Sequence, residues 1–165
     1  MTLDELWTAL RLLLLLAVAN TTPLVAKRLF GARWTTPLDG GLRFLDGRPL
    51  LGASKTVRGL VSATLASALA APLLGLPVAI GAVLGVGAML GDALASFTKR
   101  RLGTPPSGRA TGIDQIPEAL LPLLLLQTTL DLGLLQIAGV TLAFFVLEIP
   151  LARLTHRLGL RDQPY

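Results

Sequence analysis

Cysteine is absent from the chain, and histidine occurs once, as His156 near the tail. The first absence excludes disulfides, thiolate metal sites and cysteine nucleophiles; the second leaves little ground for a His-centred triad. Charge is also missing over one long interval, because nothing charged lies between Arg58 and Asp92. That interval is too long for one membrane crossing and suits a tight hairpin of two. A chain of 165 residues is one domain by length, and with 52% of it apolar it carries more hydrophobic surface than a soluble core of that size needs. Lipid is the solvent this composition implies.

The apolar runs predict an all-α integral membrane protein, a single polytopic domain over 1–165 with about five transmembrane helices near 6–26, 59–74, 78–97, 115–130 and 132–151. Pro72, Gly75 and Pro77 supply the turn between spans two and three, and Asp131 and Gly133 mark the turn between four and five. A signal peptide ending near Ala17-Val18-Ala19 competes for the first span, but Asp4 and Glu5 make its start acidic rather than basic.

The basic residues sort by loop. Lys27, Arg28, Arg33, Arg43, Arg48, Lys55 and Arg58 follow span one; Lys99, Arg100, Arg101 and Arg109 follow span three; Arg153, Arg157 and Arg161 follow span five. These are 14 of the 15 Lys and Arg, leaving only Arg11 for the other side. By the positive-inside rule the N-terminus is outside, the C-terminus and two long loops are cytoplasmic, and the protein is a multi-pass protein of the cell (inner) membrane. The net charge of +5 therefore has a topological origin, and no nucleic-acid partner is expected.

Chemistry is expected on that cytoplasmic side. The first loop holds Pro37-Leu38-Asp39-Gly40-Gly41 and Asp46-Gly47-Arg48, two Asp-Gly turns, and closes with Gly52-Ala53-Ser54-Lys55-Thr56-Val57-Arg58-Gly59. If the second helix starts early, Lys55 and Arg58 project from one face beside the N–H groups of its first turn, as a polyphosphate clamp; as interface anchors they would serve topology alone. A nucleotide-binding P-loop is excluded, since only two residues separate Gly52 from Lys55 and no strand is expected before them.

Asp92 lies within span three, where a carboxylate is costly; it either pairs with Lys99 or Arg100 at the interface or serves a function. Asp114 lies where span four starts, so both carboxylates can meet at one membrane depth, an arrangement that suits Mg²⁺ completed by waters and substrate phosphates. The Lys99-Arg100-Arg101 run is either an anchor or an attractor of lipid and nucleotide phosphates. Gly81, Gly85, Gly87 and Gly91 form small-xxx-small patterns for close packing, within the chain or between copies, so an oligomer through helix three is conceivable. Glu118 and Glu148 receive no role from the sequence.

The ordered blocks Asn20-Thr-Thr-Pro23, Pro37 to Gly41, Asp46 to Arg48, Gly52 to Gly59, Gly91-Asp92 with Ser96 to Arg101, and Asp114-Gln115 resemble the CDP-archaeol synthase family. That family is similar, in its second half, to the CDP-diacylglycerol synthases. The resemblance implies a Mg²⁺-dependent cytidylyltransferase, in which a lipid phosphate attacks the α-phosphorus of CTP, releases pyrophosphate and leaves a CDP-activated lipid. It implies Asp92 and Asp114 as metal ligands and Lys55 and Arg58 as phosphate binders, with Asn20, Asp39, Asp46, Lys99 and Arg100 lining the site. The family pattern continues Asp-Gln with an acidic residue two positions on, where this chain has Pro117, and Gly103 to Arg109 looks like a bacterial branch. The lipid is accordingly expected to be phosphatidate-like or an archaeal-type ether lipid phosphate.

Two other functions compete. A CDP-alcohol phosphotransferase is suggested by Asp39-Gly40-Gly41-Leu42-Arg43, but its further aspartates at helical spacing are missing. A non-enzymatic membrane subunit or small transporter would use the charges for topology alone and gives no reason for two Asp-Gly loops.

Overall fold

The computed structural model describes residues 2–104 and 112–159, so Arg109 and Arg161 lie outside the described residues. It contains five α-helices, α1 (Leu3–Phe30), α2 (Val57–Leu73), α3 (Val78–Arg101), α4 (Gln115–Leu126) and α5 (Leu134–Arg157). Among the described residues there are only two isolated β-bridges, Pro37 with Thr56 and Arg43 with Pro49, both in the first loop. The protein is thus an all-α bundle, with α1, α3 and α5 long and apolar enough to cross a membrane and α2 and α4 shorter apolar helices.

Local chemistry sets the helix ends. Thr2 and Glu5 form a reciprocal capping box, with the Thr2 hydroxyl accepting from the Glu5 N–H and the Thr2 N–H donating to the Glu5 carboxylate. At the other end of α1, Lys27 and Arg28 complement the carbonyl end of the helix dipole, as Lys99, Arg100 and Arg101 do for α3. Gly75 turns the α2–α3 hairpin at φ 72° and Pro77 caps α3. Helices α1, α3 and α5 run past the spans expected from hydropathy because their last turns are basic rather than apolar. Helix α4 stops short of the expected Leu130, at Leu126: Gln127, Thr128 and Thr129 continue as turns that end at Asp131, whose φ is 51°.

Helix α3 is the central element, packed most extensively against α4 and α2. Glycine permits both approaches. A Cβ on Gly81 would lie 2.1 Å from the Ser67 carbonyl oxygen of α2, and one on Gly91 would lie 2.1 Å from the Pro117 carbonyl oxygen of α4. Gly85 faces Ala63 and Thr64 on α2, while Gly87 faces Pro122 on α4. All four glycines are therefore used within the chain, two on each flank of α3.

The buried cluster runs from Leu12, Leu15, Leu16 and Ala19 on α1 through Leu84 and Ala88 on α3 to Leu123, Leu126, Val140 and Phe144. Outward faces are equally apolar: Leu65, Leu69 and Leu73 form an exposed stripe at helical spacing on α2, and Leu90 and Leu94 do the same on α3. Apolar residues on both faces of a helix are what a lipid-embedded bundle requires. Two hydrogen bonds orient the ends: Gln136 donates to the Glu5 carbonyl where α5 and α1 start, and Arg28 donates to the Gly159 carbonyl where they finish. Helices α1 and α5 are thus parallel, as alternation over five helices demands, and every long basic segment gathers at one end.

Candidate active site

At the basic end, the first loop folds into a small braced structure rather than a free strap. Its two ends pair, with the Leu38 N–H donating to the Lys55 carbonyl and the Val57 N–H to the Thr36 carbonyl. Asp39 sits at the centre, only 7% exposed. One of its carboxylate oxygens accepts from the Gly41 N–H at 3.0 Å, and the other from Leu51 and Gly52 at 2.8 and 3.2 Å. Burial pushes this carboxyl up, but the N–H groups of Leu51, Gly41 and Gly52 together outweigh it and hold the pKa below the ordinary value. Asp39 thereby fixes the turn that presents Lys55.

Lys55 donates to both carboxylate oxygens of Asp92, each at 2.6 Å. Seven residues along α3, about 10 Å of helix rise, Lys99 pairs with Asp114 at 2.5 Å. Gly91, the residue before Asp92, meets Pro117, three residues after Asp114, where α3 and α4 cross. The side chains of Asp92 and Asp114 are 26% and 27% exposed. They remain within reach of a solute arriving from the loop side.

Other residues singled out by the sequence are placed differently. Helix α2 begins at Val57, with Thr56 as its N-cap accepting from the Gly59 N–H, so Lys55 precedes the helix and does not share a helical face with Arg58. Arg58 donates instead to the carbonyls of Gly31 and Arg33, both at 2.8 Å, tying the end of α1 to the start of α2. Asp46 accepts from the Arg48 N–H within its own turn and from Arg101 at 2.7 Å. Asn20 is half-buried on α1, one turn before Pro23, which packs beside Gly59. Arg100 is 4% exposed, and its guanidinium lies 4.0 Å from a Cβ built on Gly52, next to the Lys55 turn.

Arg48 closes the second Asp-Gly turn of the sequence, but its partners and the aromatic pair beside it had no signal there. Arg48 donates to the carbonyls of Arg100 and Arg101, satisfying the exposed end of α3. Arg101 lies over the rings of Phe44 and Phe97, which meet edge to face at 5.3 Å. These contacts seat the loop on α3 and leave a cleft of about 220 Å³ lined by Arg48, Pro49, Arg100, Gly103 and Thr104. Deeper in the bundle, Gln115 donates to Glu148 at 2.9 Å, and Glu118 is buried against Gly91. Only the tertiary fold brings positions 115 and 148 together.

Because the Asp39 pKa is lowered on folding, its brace is at full strength above the ordinary value of 3.8 and is lost as pH falls through the lower folded value. Asp39→Asn removes the charge at every pH and is expected to loosen the loop by about 1–3 kcal/mol. Limited proteolysis between Phe30 and Val57 in detergent should show faster cutting than in wild type; an unchanged rate would mean the loop is held by other contacts.

A lipid-embedded helical bundle that gathers lysines, arginines and carboxylates at one surface belongs to the class of polytopic membrane proteins with a charged site at the headgroup level. The comparisons are more specific. The family model described as CarS-like, CDP-archaeol synthase matches residues 3–80 and 74–165, and the chain belongs to this family. A CDP-archaeol synthase of Hyperthermus butylicus is 41% identical over 143 residues, 79% of this chain and 82% of that one. One of Thermofilum pendens is 36% identical over 157 residues, 90% of this chain and 76% of that one. A solved structure described as an intramembrane enzyme for archaeal membrane lipids biosynthesis superposes with a TM-score of 0.72 at 29% identity, covering 86% of this chain and 90% of that one.

Proposed function

We propose that this chain transfers a cytidylyl group from CTP to a lipid phosphate at the membrane surface, with Asp92 and Asp114 as the carboxylates that hold Mg²⁺. Membership of the CDP-archaeol synthase family supports the reaction. The observation that carries the site is the Lys55–Asp92 and Lys99–Asp114 pairs on the loop side of the crossing of α3 and α4 at Gly91 and Pro117.

Two carboxylates are a donor set of the kind Mg²⁺ takes. In the structure each carboxylate faces an ammonium, Lys55 on Asp92 at 2.6 Å and Lys99 on Asp114 at 2.5 Å, which a metal ion would displace toward the substrate phosphates. Among the described residues no third Asp, Glu or His joins them. Mg²⁺ commonly takes one or two carboxylates and completes its octahedron with waters and phosphate oxygens. When bound, the ion would neutralise charge on the transferring phosphoryl group.

The chain's own groups would do the positioning. Lys55 and Lys99 stand beside the carboxylates and offer N–H donors to phosphate oxygens; Arg48 and Arg100 line the adjacent cleft, where the β- and γ-phosphates can be held. An oxygen of the lipid phosphate forms the new bond to the α-phosphorus of CTP as the bond to the bridging oxygen breaks, and pyrophosphate leaves. No covalent enzyme intermediate is needed, in keeping with a chain that has no cysteine and one histidine. Arg58, held by two backbone carbonyls, acts in this reading by fixing the loop rather than by contacting CTP.

The relatives are named CDP-archaeol synthases, which favours an archaeal-type ether lipid phosphate over phosphatidate. The test is purified protein with α-labelled CTP, Mg²⁺, and the two lipid phosphates side by side. Label should enter the lipid fraction, faster with the ether lipid; no labelled lipid from either would overturn the proposal.

The reaction surface is assigned to the cytoplasm by the positive-inside rule. A reporter fused after Tyr165 is expected to read cytoplasmic in intact cells. A reading from outside would invert the topology and place the site on the wrong face.

A further inference from the structure

At the end of the bundle away from the basic loops, α2 falls short. Its 17 residues rise about 26 Å, less than the roughly 30 Å of a bilayer's hydrocarbon core. The α2–α3 turn therefore meets α1 at Arg11 rather than at its first residue: Arg11 Nη2 lies 3.9 Å from a Cβ built on Gly75. Beyond the turn, the start of α1 is tied to the start of α5 by the Gln136 hydrogen bond to Glu5. The step between the long and short helices is a cleft of about 300 Å³ lined by Trp7, Leu10, Arg11, Leu14, Leu73 and Leu74.

Its lining is divided by chemistry. Leu10, Leu14 and Leu73 are 45%, 45% and 86% exposed, an apolar trough open to the surroundings. Arg11 is the one Lys or Arg outside the three basic segments, half-buried in a helix otherwise uncharged from Leu6 to Ala19. Among the described residues no carboxylate or carbonyl accepts from its guanidinium. Glu5, the acid at that end nearest along α1, is committed to the capping box with Thr2. A guanidinium in a span is costly unless it reaches the interface or a partner, and Trp7 one turn earlier is the residue type that marks the headgroup level.

We infer that this notch is a lipid-binding site in the leaflet opposite the reaction surface, taking the phosphate of an anionic membrane lipid on Arg11 and one of its chains along Leu10, Leu14 and Leu73. The missing length of α2 supplies the space, because the helix ends below the level that α1 reaches and leaves the cleft between them. The guanidinium supplies headgroup selection, since its fork matches two phosphate oxygens. The site is remote from Asp92 and Asp114 and independent of the reaction proposed for them.

Trp7 is itself the probe. With Trp34→Phe it is the chain's only tryptophan, since the sequence holds two. Its quenching is measured in vesicles containing brominated phosphatidylglycerol or brominated phosphatidylcholine. The anionic lipid should bind beside Trp7 about fivefold more tightly, the effect of one basic residue near an anionic surface. Arg11→Gln in that background should abolish the preference and Arg11→Lys should keep part of it. A second measurement needs no change at Arg11: raising salt from 0.01 to 1 M should shrink the preference. Equal quenching by the two lipids, a preference that survives Arg11→Gln, or one indifferent to salt would each overturn the site.

Discussion

Asp92→Asn and Asp114→Asn are each expected to lower the rate of CDP-lipid formation on the order of a hundredfold or more, beyond any effect on stability. The substitution keeps side-chain volume and an oxygen acceptor for the lysine, and removes the charge a metal ion requires. Stability should change little at Asp92, whose pair with Lys55 is partly exposed, and more at Asp114, whose partner Lys99 is buried. Asp92 and Lys55 are 26% and 18% accessible, and an ion pair open to water contributes little to folding. At Asp92 the effect should therefore fall on turnover. Initial rates with α-labelled CTP, beside thermal unfolding in the same detergent, separate the two; a variant that keeps most of its rate removes that carboxylate from the proposed metal site.

Gly91→Ala is expected to be the most damaging single-carbon change. The new Cβ would start 2.1 Å from the Pro117 carbonyl oxygen and 2.8 Å from Glu118 Cα, both backbone atoms that no rotamer change can move aside. Helices α3 and α4 must separate, at a cost of about 3 kcal/mol. Because Asp92 is the next residue and Asp114 opens the facing helix, the shift also spreads the two carboxylates. A displacement near 1 Å at a reacting centre costs on the order of a hundredfold in rate. Gly139→Ala on α5 is the matched control, since nothing lies within 4 Å of its Cβ. There the exchange should be neutral or stabilising by up to about 1 kcal/mol. Equal unfolding midpoints for the two variants would show that the α3–α4 approach carries no such constraint.

Much of this arrangement was legible in the sequence for identifiable reasons. The uncharged interval before Asp92, punctuated by Pro72, Gly75 and Pro77, permits little but a helical hairpin, and the sorting of Lys and Arg marks one end of the bundle. Asp92 and Asp114 stand out because carboxylates beside apolar runs are costly. Spacing failed where a single residue's offset decides the outcome. Lys55 and Arg58 look like helix neighbours, yet capping by Thr56 leaves Lys55 outside α2, and the two side chains diverge to Asp92 and to the Gly31 and Arg33 carbonyls. Asp39 reads as a turn residue, and only the folded loop reveals its hold on Leu51 and Gly52, 12 and 13 positions away. The step at Arg11 was hidden because it depends on the relative lengths of α1 and α2, which hydropathy fixes only to within a turn.

The central claim is that Asp92 and Asp114 act together on one metal-bound phosphate. The most direct test is the rate of CDP-lipid formation by the Asp92→Asn/Asp114→Asn double variant against the two single variants in the same vesicles. Residues that act as a unit lose their joint contribution once, so the double variant should be within about threefold of the slower single one. Losses that multiply, to on the order of ten-thousandfold, would contradict a shared site, and a double variant with wild-type rate would contradict any role for the pair.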